Sequence, residues 1–345
     1  MSGSIHDRKR EHIRIALEKP VTGEGVTNGF EQYRFIHNAL PEINFEEISI
    51  RTEFLGKPLS APFLVSSMTG GTEWAVTINR HLAAAAEKRG WMLAIGSTRA
   101  LLESPEYASS FQLRPFAPTI PIAANLGAVQ LNYGFGVEEC KKIIELTGAD
   151  FFILHLNSMQ EVFQKEGNTN FKGLLKKIER LCGQLEIPVG VKEVGWGIDG
   201  GIAKALYDAG VSFVDVAGAG GTSFIQVEKY REQNQWMRPV AEVFSSWGTP
   251  TAECILSVRS QNPDKPLIAS GGLRNGLDAA KAFALGADVA GFARTLLKAA
   301  TESEERVLEE MERREMELKI TMFGIGAGDL EGLKKTGRLQ KKPAD

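Results

Sequence analysis

A chain of 345 residues with 43% hydrophobic residues can bury a large core; the length allows two domains, and it equally allows one α/β barrel. A net charge of −3 at pH 7 and a pI near 6.1 give no electrostatic reason to expect nucleic acid or an anionic membrane as a partner. Three cysteines (Cys140, Cys182, Cys254) without a CxxC spacing, and the lack of any run of about 20 apolar residues, argue against a zinc site, a disulfide framework and a membrane span. Core thiols suit a reducing cytoplasm, and the polar stretch Met1–Arg14 lacks the apolar centre of a secretory signal.

In chain order, residues 1–20 carry Arg8-Lys9-Arg10-Glu11-His12 and read as a short polar helix, and residues 21–34 read as loop. Phe54-Leu55-Gly56-Lys57-Pro58-Leu59 reads as a strand and turn leading into a barrel. From Ala61 a pattern repeats eight times. Predicted strands are 61–68, 91–97, 121–127, 151–157, 187–194, 213–218, 266–271 and 288–293. Predicted helices come after them near 73–89, 106–112, 137–147, 171 onward, 201–209, 251–260, 277–285 and, long and charged, 301–320. Short, nearly continuous apolar strands alternating with helices indicate a parallel sheet, and eight of them a TIM (β/α)8 barrel. The expected organisation is a single domain: an N-terminal extension over 1–60, the barrel over 61–300, and C-terminal helices and tail over 301–345. Within the last, the glycine-rich segment 324–328 reads as a turn between two closing helices, and 222–249 reads as a flap over the barrel, its Phe224, Tyr230, Trp236 and Trp247 serving partly as packing and partly as lid.

Sites in this fold lie at the carboxyl ends of the strands. The fourth strand ends in Leu154-His155-Leu156-Asn157-Ser158-Met159-Gln160-Glu161, which sets out an imidazole, two carboxamides and a carboxylate within eight residues. Glu161 can hold a divalent cation, and His155 and Gln160 can donate to anionic oxygens. The seventh and eighth strands end in Ser270-Gly271-Gly272-Leu273-Arg274 and Gly291-Phe292-Ala293-Arg294, where glycines let backbone amides approach a phosphate and the next helix offers its N-terminus. Lys192 closes the apolar Pro188-Val189-Gly190-Val191. Such a lysine can form a Schiff base or pair with the electron-rich edge of a reduced flavin.

The flavin option also employs Met68-Thr69-Gly70 and Ala124-Asn125 along the ring edge. A phosphate site, a lysine and small residues at one mouth suggest FMN, and the absence of GxGxxG argues against a dinucleotide on a Rossmann fold. The 2-hydroxyacid oxidases need a His base near the sixth strand, and 222–249 contains no histidine; the nucleotide-reducing barrels use a Cys in a Gly-rich loop, and 218–223 contains none. What the mouth offers instead is groups for anions and a metal: Arg8, Lys9, Ser97, Arg99, His155, Gln160 and Glu161.

With these residues in view, the chain resembles the type 2, FMN-dependent isopentenyl diphosphate isomerases. The matching motifs are Arg8-Lys9-Arg10-Glu11-His12-Ile13, Ser67-Met68-Thr69-Gly70-Gly71, Gly96-Ser97-Thr98-Arg99, Ala124-Asn125-Leu126-Gly127, His155-Leu156-Asn157 with Gln160-Glu161, Val191-Lys192-Glu193-Val194-Gly195, Gly220-Gly221-Thr222-Ser223 and Ser270-Gly271-Gly272-Leu273-Arg274. One departure is Ser158-Met159, where the family has Pro-Leu; a small change in loop stiffness is expected and no change of chemistry. The resemblance implies that Ser67, Met68, Thr69, Gly70, Ser97, Asn125, Lys192, Thr222, Gly271, Gly272, Arg274, Ala293 and Arg294 bind FMN. It implies that Arg8, Lys9, His12, Ser97, Arg99, His155, Asn157 and Gln160 hold the substrate, and that Glu161 binds Mg2+. The implied reaction converts isopentenyl diphosphate to dimethylallyl diphosphate on reduced FMN, with NADPH or NADH as reductant, in a cytoplasmic homotetramer. The flavin is then the acid–base group, assisted by His155 and Gln160. An ordinary FMN oxidoreductase of the 2-hydroxyacid oxidase/dehydrogenase type is the competing expectation.

Overall fold

In the computed structural model, which describes residues 5–103, 105–232, 234 and 236–343, eight parallel strands close into a barrel. They are β1 (Phe63–Val65), β2 (Met92–Ala94), β3 (Ile122–Gly127), β4 (Phe151–His155), β5 (Val189–Lys192), β6 (Phe213–Asp215), β7 (Leu267–Ala269) and β8 (Val289–Phe292). Each pairs with the next, and the ring closes where Ala290 of β8 lies beside Phe63 of β1. Nearly every strand residue is buried, as expected when helices cover the outside and side chains fill the inside. This is the TIM barrel expected from the repeat.

Period-two alternation sorts the strand residues. Leu64, Met92, Ala94, Ala123, Phe151, Ile153, Phe213, Ile268 and Val289 pack together as the barrel interior. Their neighbours, such as Phe63, Leu93, Phe152, Val191, Val214 and Phe292, pack outward against the helices. Gly190 belongs to this interior: a Cβ there would collide with the ring of Phe213.

The stretch 52–59 is a hairpin, Thr52–Phe54 against Lys57–Leu59, turning through Leu55 and Gly56, which both have positive φ (48° and 79°). Its Phe54 and Leu59 join the interior cluster. Phe54 lies 5.4 Å from Phe213 and 6.2 Å from Phe151 between ring centroids, so the hairpin plugs the amino-terminal end of the barrel, opposite the predicted site.

Several expectations are corrected. The eighth helix is Arg294–Glu302; the predicted 301–320 helix is a separate one, Glu304–Ile325. Ser303 divides them because its extended backbone and its side chain, which accepts from the Arg306 amide, form an N-cap. The region predicted as helix near 106–112 is a 3-10 turn over Pro105–Ser110, after a short helix Arg99–Glu103. The loop predicted over 21–34 contains the start of a strand, Tyr33–Phe35, which pairs antiparallel with Leu339–Lys341 and ties the two ends of the chain together. The 222–249 stretch forms two helices, Phe224–Arg231 and Met237–Val243, on either side of positions 233 and 235; those two positions, like residues 1–4 and 344–345 at the ends of the predicted extension and tail, lie outside the described residues. Its Trp236 and Trp247 are exposed while Phe224 is half-buried. The glycine-rich segment is the expected turn between two helices: Gly326, at φ 77°, ends Glu304–Ile325, and the short helix Leu330–Lys334 comes next. Cys140 and Cys254 are buried and free, and burial pushes each thiol up to about 12.

Replacing Phe54 with Ala should cost about 3 kcal/mol, because a buried aromatic shared by two other rings leaves a cavity that a tight hairpin cannot collapse. A urea unfolding midpoint equal to the parent's would show that the hairpin is not part of the core.

Candidate active site

One step beyond the apolar interior layer, the alternation brings a polar layer inward. Ser66, Gly96, Asn125, His155, Lys192, Asp215, Ser270 and Gly291 occupy the next inward positions after Leu64, Ala94, Ala123, Ile153, Gly190, Phe213, Ile268 and Val289. All but Asp215 border one cavity of about 370 Å³ at the carboxyl ends of the strands. That volume lies in the range of small-molecule and cofactor sites. Of the predicted site residues, Arg8, Lys9, His12, Ser67, Met68, Thr69, Ser97, Arg99, Asn125, His155, Asn157, Gln160, Glu161, Lys192, Thr222, Gly271, Gly272, Arg274, Ala293 and Arg294 border this cavity. Gly70 does not: it is buried, and a Cβ there would collide with the Phe111 ring, so glycine at 70 answers to packing.

Gly271 (φ 101°) and Gly272 (φ 75°) come after β7, and Gly220 (φ 108°) after β6. A Cβ at Gly271 would strike the Gly218 carbonyl, and one at Gly272 would strike Gly220, so the two loops lie backbone against backbone. Arg274 and Arg294 stand beside this cradle. Burial and then the neighbouring Arg274 push the Arg294 guanidinium below its usual range, as expected where two like charges await an anion. Arg294 donates to Thr22 Oγ1 at 3.1 Å, and Thr22 bridges Thr222 by backbone pairing, so the N-terminal extension closes this side.

Across the mouth, Asn125 donates from Nδ2 to Ser67 Oγ (2.7 Å), which leaves its Oδ1 to accept from His155 Nδ1 (2.6 Å). Burial first, then the Lys192 and Lys9 ammoniums, push the His155 imidazole down to about 3. The ring is therefore neutral at neutral pH, with Nε2 left as an acceptor. Donation to an anionic oxygen, expected from the sequence, requires the ring to take up a proton when the anion arrives.

Asn157 and Glu161 are buried together: Asn157 Nδ2 donates to Glu161 Oε1 (2.8 Å), and the Asn168 amide donates to Oε2 (2.6 Å). Asn157 Oδ1 is buried without a partner among the described residues. Ser158 begins a helix, Ser158–Phe163, and this turn delivers Gln160 and Glu161 to the cavity. Among the described residues no group of three or more His, Cys, Asp or Glu could hold a metal. A single carboxylate suits Mg2+, which keeps waters and shares substrate phosphate oxygens, and does not suit Zn2+.

The N-terminal helix Ile5–Glu18 crosses the mouth. Lys9 Nζ donates to the Ser97 carbonyl (3.0 Å) and sits 5.1 Å from the centre of the Phe111 ring. Burial, then the charge of Arg8, pushes it down to about 7. Arg99 Nε donates to Glu103 (2.7 Å). The helix is held by Glu228, a residue the sequence reading missed. Glu228 is 2% exposed, 2.9 Å from His12 Nε2, and paired with Arg231, which also binds Glu11 Oε2 at 3.0 Å. Its sequence signal is faint: one carboxylate in the helix Phe224–Arg231, facing a basic run 216 residues earlier. Gln130 and Thr22, which also border the cavity, were likewise missed, since nothing local marks them.

Residues 2–113 and 149–340 match the family model of the FMN-dependent dehydrogenases. The chain is 59% identical over 339 residues to the isopentenyl-diphosphate delta-isomerase of Oceanobacillus iheyensis, covering 98% of this chain and 97% of that protein. It is 49% identical over 340 residues to that of Nostoc sp., covering 99% and 97%. Among solved structures, flavocytochrome b2 superposes with a TM-score of 0.69 at 20% identity over 95% of this chain and 82% of that one. (S)-mandelate dehydrogenase superposes with a TM-score of 0.70 at 16% identity over 97% and 98%. At such identities these two likenesses are of fold alone. The end-to-end match to the isomerases goes further, and with the family model it establishes that this chain belongs to the FMN-dependent dehydrogenase family, in its group of isopentenyl-diphosphate delta-isomerases.

Proposed function

We propose that this chain interconverts isopentenyl diphosphate and dimethylallyl diphosphate by a reversible 1,3-allylic shift on reduced FMN, with Mg2+ holding the diphosphate. The observation that carries this reading is one cavity with two separate anion-binding groups. Gly271, Gly272, Arg274 and Arg294 form one; Arg8, Lys9 and Arg99, with Gln160, form the other, and the Glu161 carboxylate lines the same cavity as a place for a cation. An FMN phosphate requires one anion site, and a diphosphate substrate requires a second. The 2-hydroxyacid oxidoreductase alternative would use the second group as a clamp for a substrate carboxylate, but it also needs a histidine base that 222–249 does not supply.

The residues fit FMN. The glycine cradle and two arginines would take its phosphate; Ser67, Met68, Thr69, Ser97, Asn125, Thr222 and Ala293 would border the rest, and Lys192 would face the ring from the barrel floor. Bound and reduced, FMN supplies an electron-rich face and the acid–base nitrogens that this reaction needs. The protein's own work is positioning. Arg8, Lys9, Arg99, His155, Asn157 and Gln160 would hold the diphosphate, and His12 and Ser97 would support them. Glu161, already aimed by Asn157 and the Asn168 amide, would hold Mg2+. The N-terminal helix, docked through His12 and Glu228, would exclude water from a carbocation-like transition state. The same reading makes NADPH or NADH the reductant, the assembly a homotetramer and the compartment the cytoplasm; among the described residues no helix is long and apolar enough to cross a membrane.

The decisive experiment is anaerobic conversion of isopentenyl diphosphate by FMN-loaded protein with Mg2+, with and without dithionite. Turnover only with reduced flavin, with no reductant consumed per cycle, is expected; net oxidation or reduction of substrate would replace the isomerase reading with the oxidoreductase one. Glu161→Gln should raise the Mg2+ concentration for half-maximal activity by roughly 10- to 100-fold and leave FMN loading intact. Equal Mg2+ dependence in both proteins would remove Glu161 from the metal site. His155 is held neutral, near 3, when no anion is present. Binding of the diphosphate at neutral pH should therefore draw a proton onto the ring, and affinity should fall as pH rises. Calorimetry in buffers of different ionisation enthalpy measures this uptake, and its persistence in His155→Gln would assign it elsewhere.

A further inference from the structure

Lys192 stands between two register neighbours on the barrel floor, His155 of β4 and Asp215 of β6. Asp215 is 0% exposed and does not border the cavity. Its Oδ1 accepts from Ser270 Oγ at 2.7 Å and from the Ala217 amide at 3.2 Å. Its Oδ2 is buried and has no hydrogen-bond partner among the described residues. A carboxylate in that state is unfavourable unless a cation answers it.

The groups that face Lys192 narrow the choice. His155 is neutral and adds no anion. Glu193, next in sequence, also acts on Lys192 as an anion, but its Oε2 is already engaged by the amides of Val194, Gly195 and Trp196. Lys192 Nζ donates to the Glu193 carbonyl, a neutral group. Lys9, beyond His155, is a like charge. Of the two anions that act on Lys192, Asp215 has the larger effect, and it flanks the lysine across the ladder with an oxygen to spare. Burial presses the Lys192 ammonium down and the Asp215 carboxyl up, and each acts on the other in the opposite sense.

We propose that Asp215 is a positioning residue for the isomerase reaction: as the resident counter-charge of Lys192, it keeps that side chain cationic on the barrel floor, where it meets the electron-rich edge of reduced FMN. Ser270 and the Ala217 amide fix the carboxylate by one oxygen and leave the other to the lysine's field. Asp215 itself touches neither flavin nor substrate. It acts through Lys192.

The inference rests on the FMN reading of the cavity, and two measurements on the full-length chain separate the two. The first is the FMN midpoint potential against pH, through the neutral and mildly alkaline range, for the parent and Asp215→Asn. The parent should show no break from Lys192. The variant, still binding FMN, should show one where Lys192 loses its proton, with reduced flavin less favoured above it. A line identical to the parent's would overturn the proposal. The second is thermal melting, with and without FMN, of Lys192→Met, Asp215→Asn and the double variant. Lys192→Met strands a buried carboxylate and should melt lower than the double variant, in which both charges are gone. If the double variant melts as low as the sum of its parts, or fails to fold alongside Asp215→Asn, the carboxylate is structural and the pairing is wrong. Rescue without FMN but unchanged potentials would establish the pair and refute its reach to the flavin.

Discussion

Everything at the site depends on one constraint, the two-residue repeat of a strand inside a closed barrel. Once Leu64, Phe151, Phe213 and Ile268 point inward, so must Ser66, Ile153 and His155, Asp215 and Ser270. Apolar residues fill the lower layers, plugged from below by Phe54, and the uppermost inward layer is polar. That layer has an apolar core beneath it and a cavity above it. Its side chains must satisfy one another sideways or be answered from above by whatever the cavity holds. The Ser67–Asn125–His155 chain and the Ser270–Asp215 bond are the sideways solution. The His155 Nε2 and the Lys192 ammonium remain for the occupant above.

The site is also electrostatically unfinished. Arg8, Lys9 and Arg294 are all pushed below their usual ranges by burial, and neighbouring cations lower each of them further. Glu228 and Glu103 answer part of that charge: Glu228 acts on Arg8, and Glu103 acts on Lys9. Holding so many cations around a half-enclosed space is unfavourable without anions, and the arrangement is therefore complementary to phosphate and diphosphate groups rather than to a neutral organic molecule. The N-terminal helix is part of this balance. It brings two of the cations, and it is held by a buried carboxylate from a helix after β6 rather than by apolar packing alone. Its seat over the mouth is thus coupled to the charge state of the site it covers.

The fold was largely legible because each strand–helix unit carries its own local signal: a short apolar run, a turn, an amphipathic helix. The strand ends were legible for the same reason, since glycines and polar residues interrupt those runs at 96, 155–161, 192, 218–223, 271–274 and 291–294. Where the reading failed, the deciding contact was distant or hidden. Ser303 divides two helices by its backbone conformation, which a run of charged helix formers conceals. Tyr33–Phe35 and Leu339–Lys341 are too short to show alternation, and each is a strand only because the other is there. At Gly70, the close approach of the Phe111 ring that leaves no room for a Cβ comes from 41 residues along the chain and has no local mark.

The sequence by itself determined the barrel, the end of it at which chemistry occurs, and the kinds of groups gathered there, because strand alternation and loop glycines are encoded within a few residues of each other. Only the tertiary structure decided which groups are paired and which are left open. It set Glu228 against His12 across 216 residues, matched His155 Nδ1 with Asn125, and placed Asp215, which in the sequence is one polar letter in an apolar strand, beside Lys192 with an oxygen unused. Charge in a buried layer is fixed by neighbours on adjacent strands, and those neighbours are dozens to hundreds of residues away along the chain.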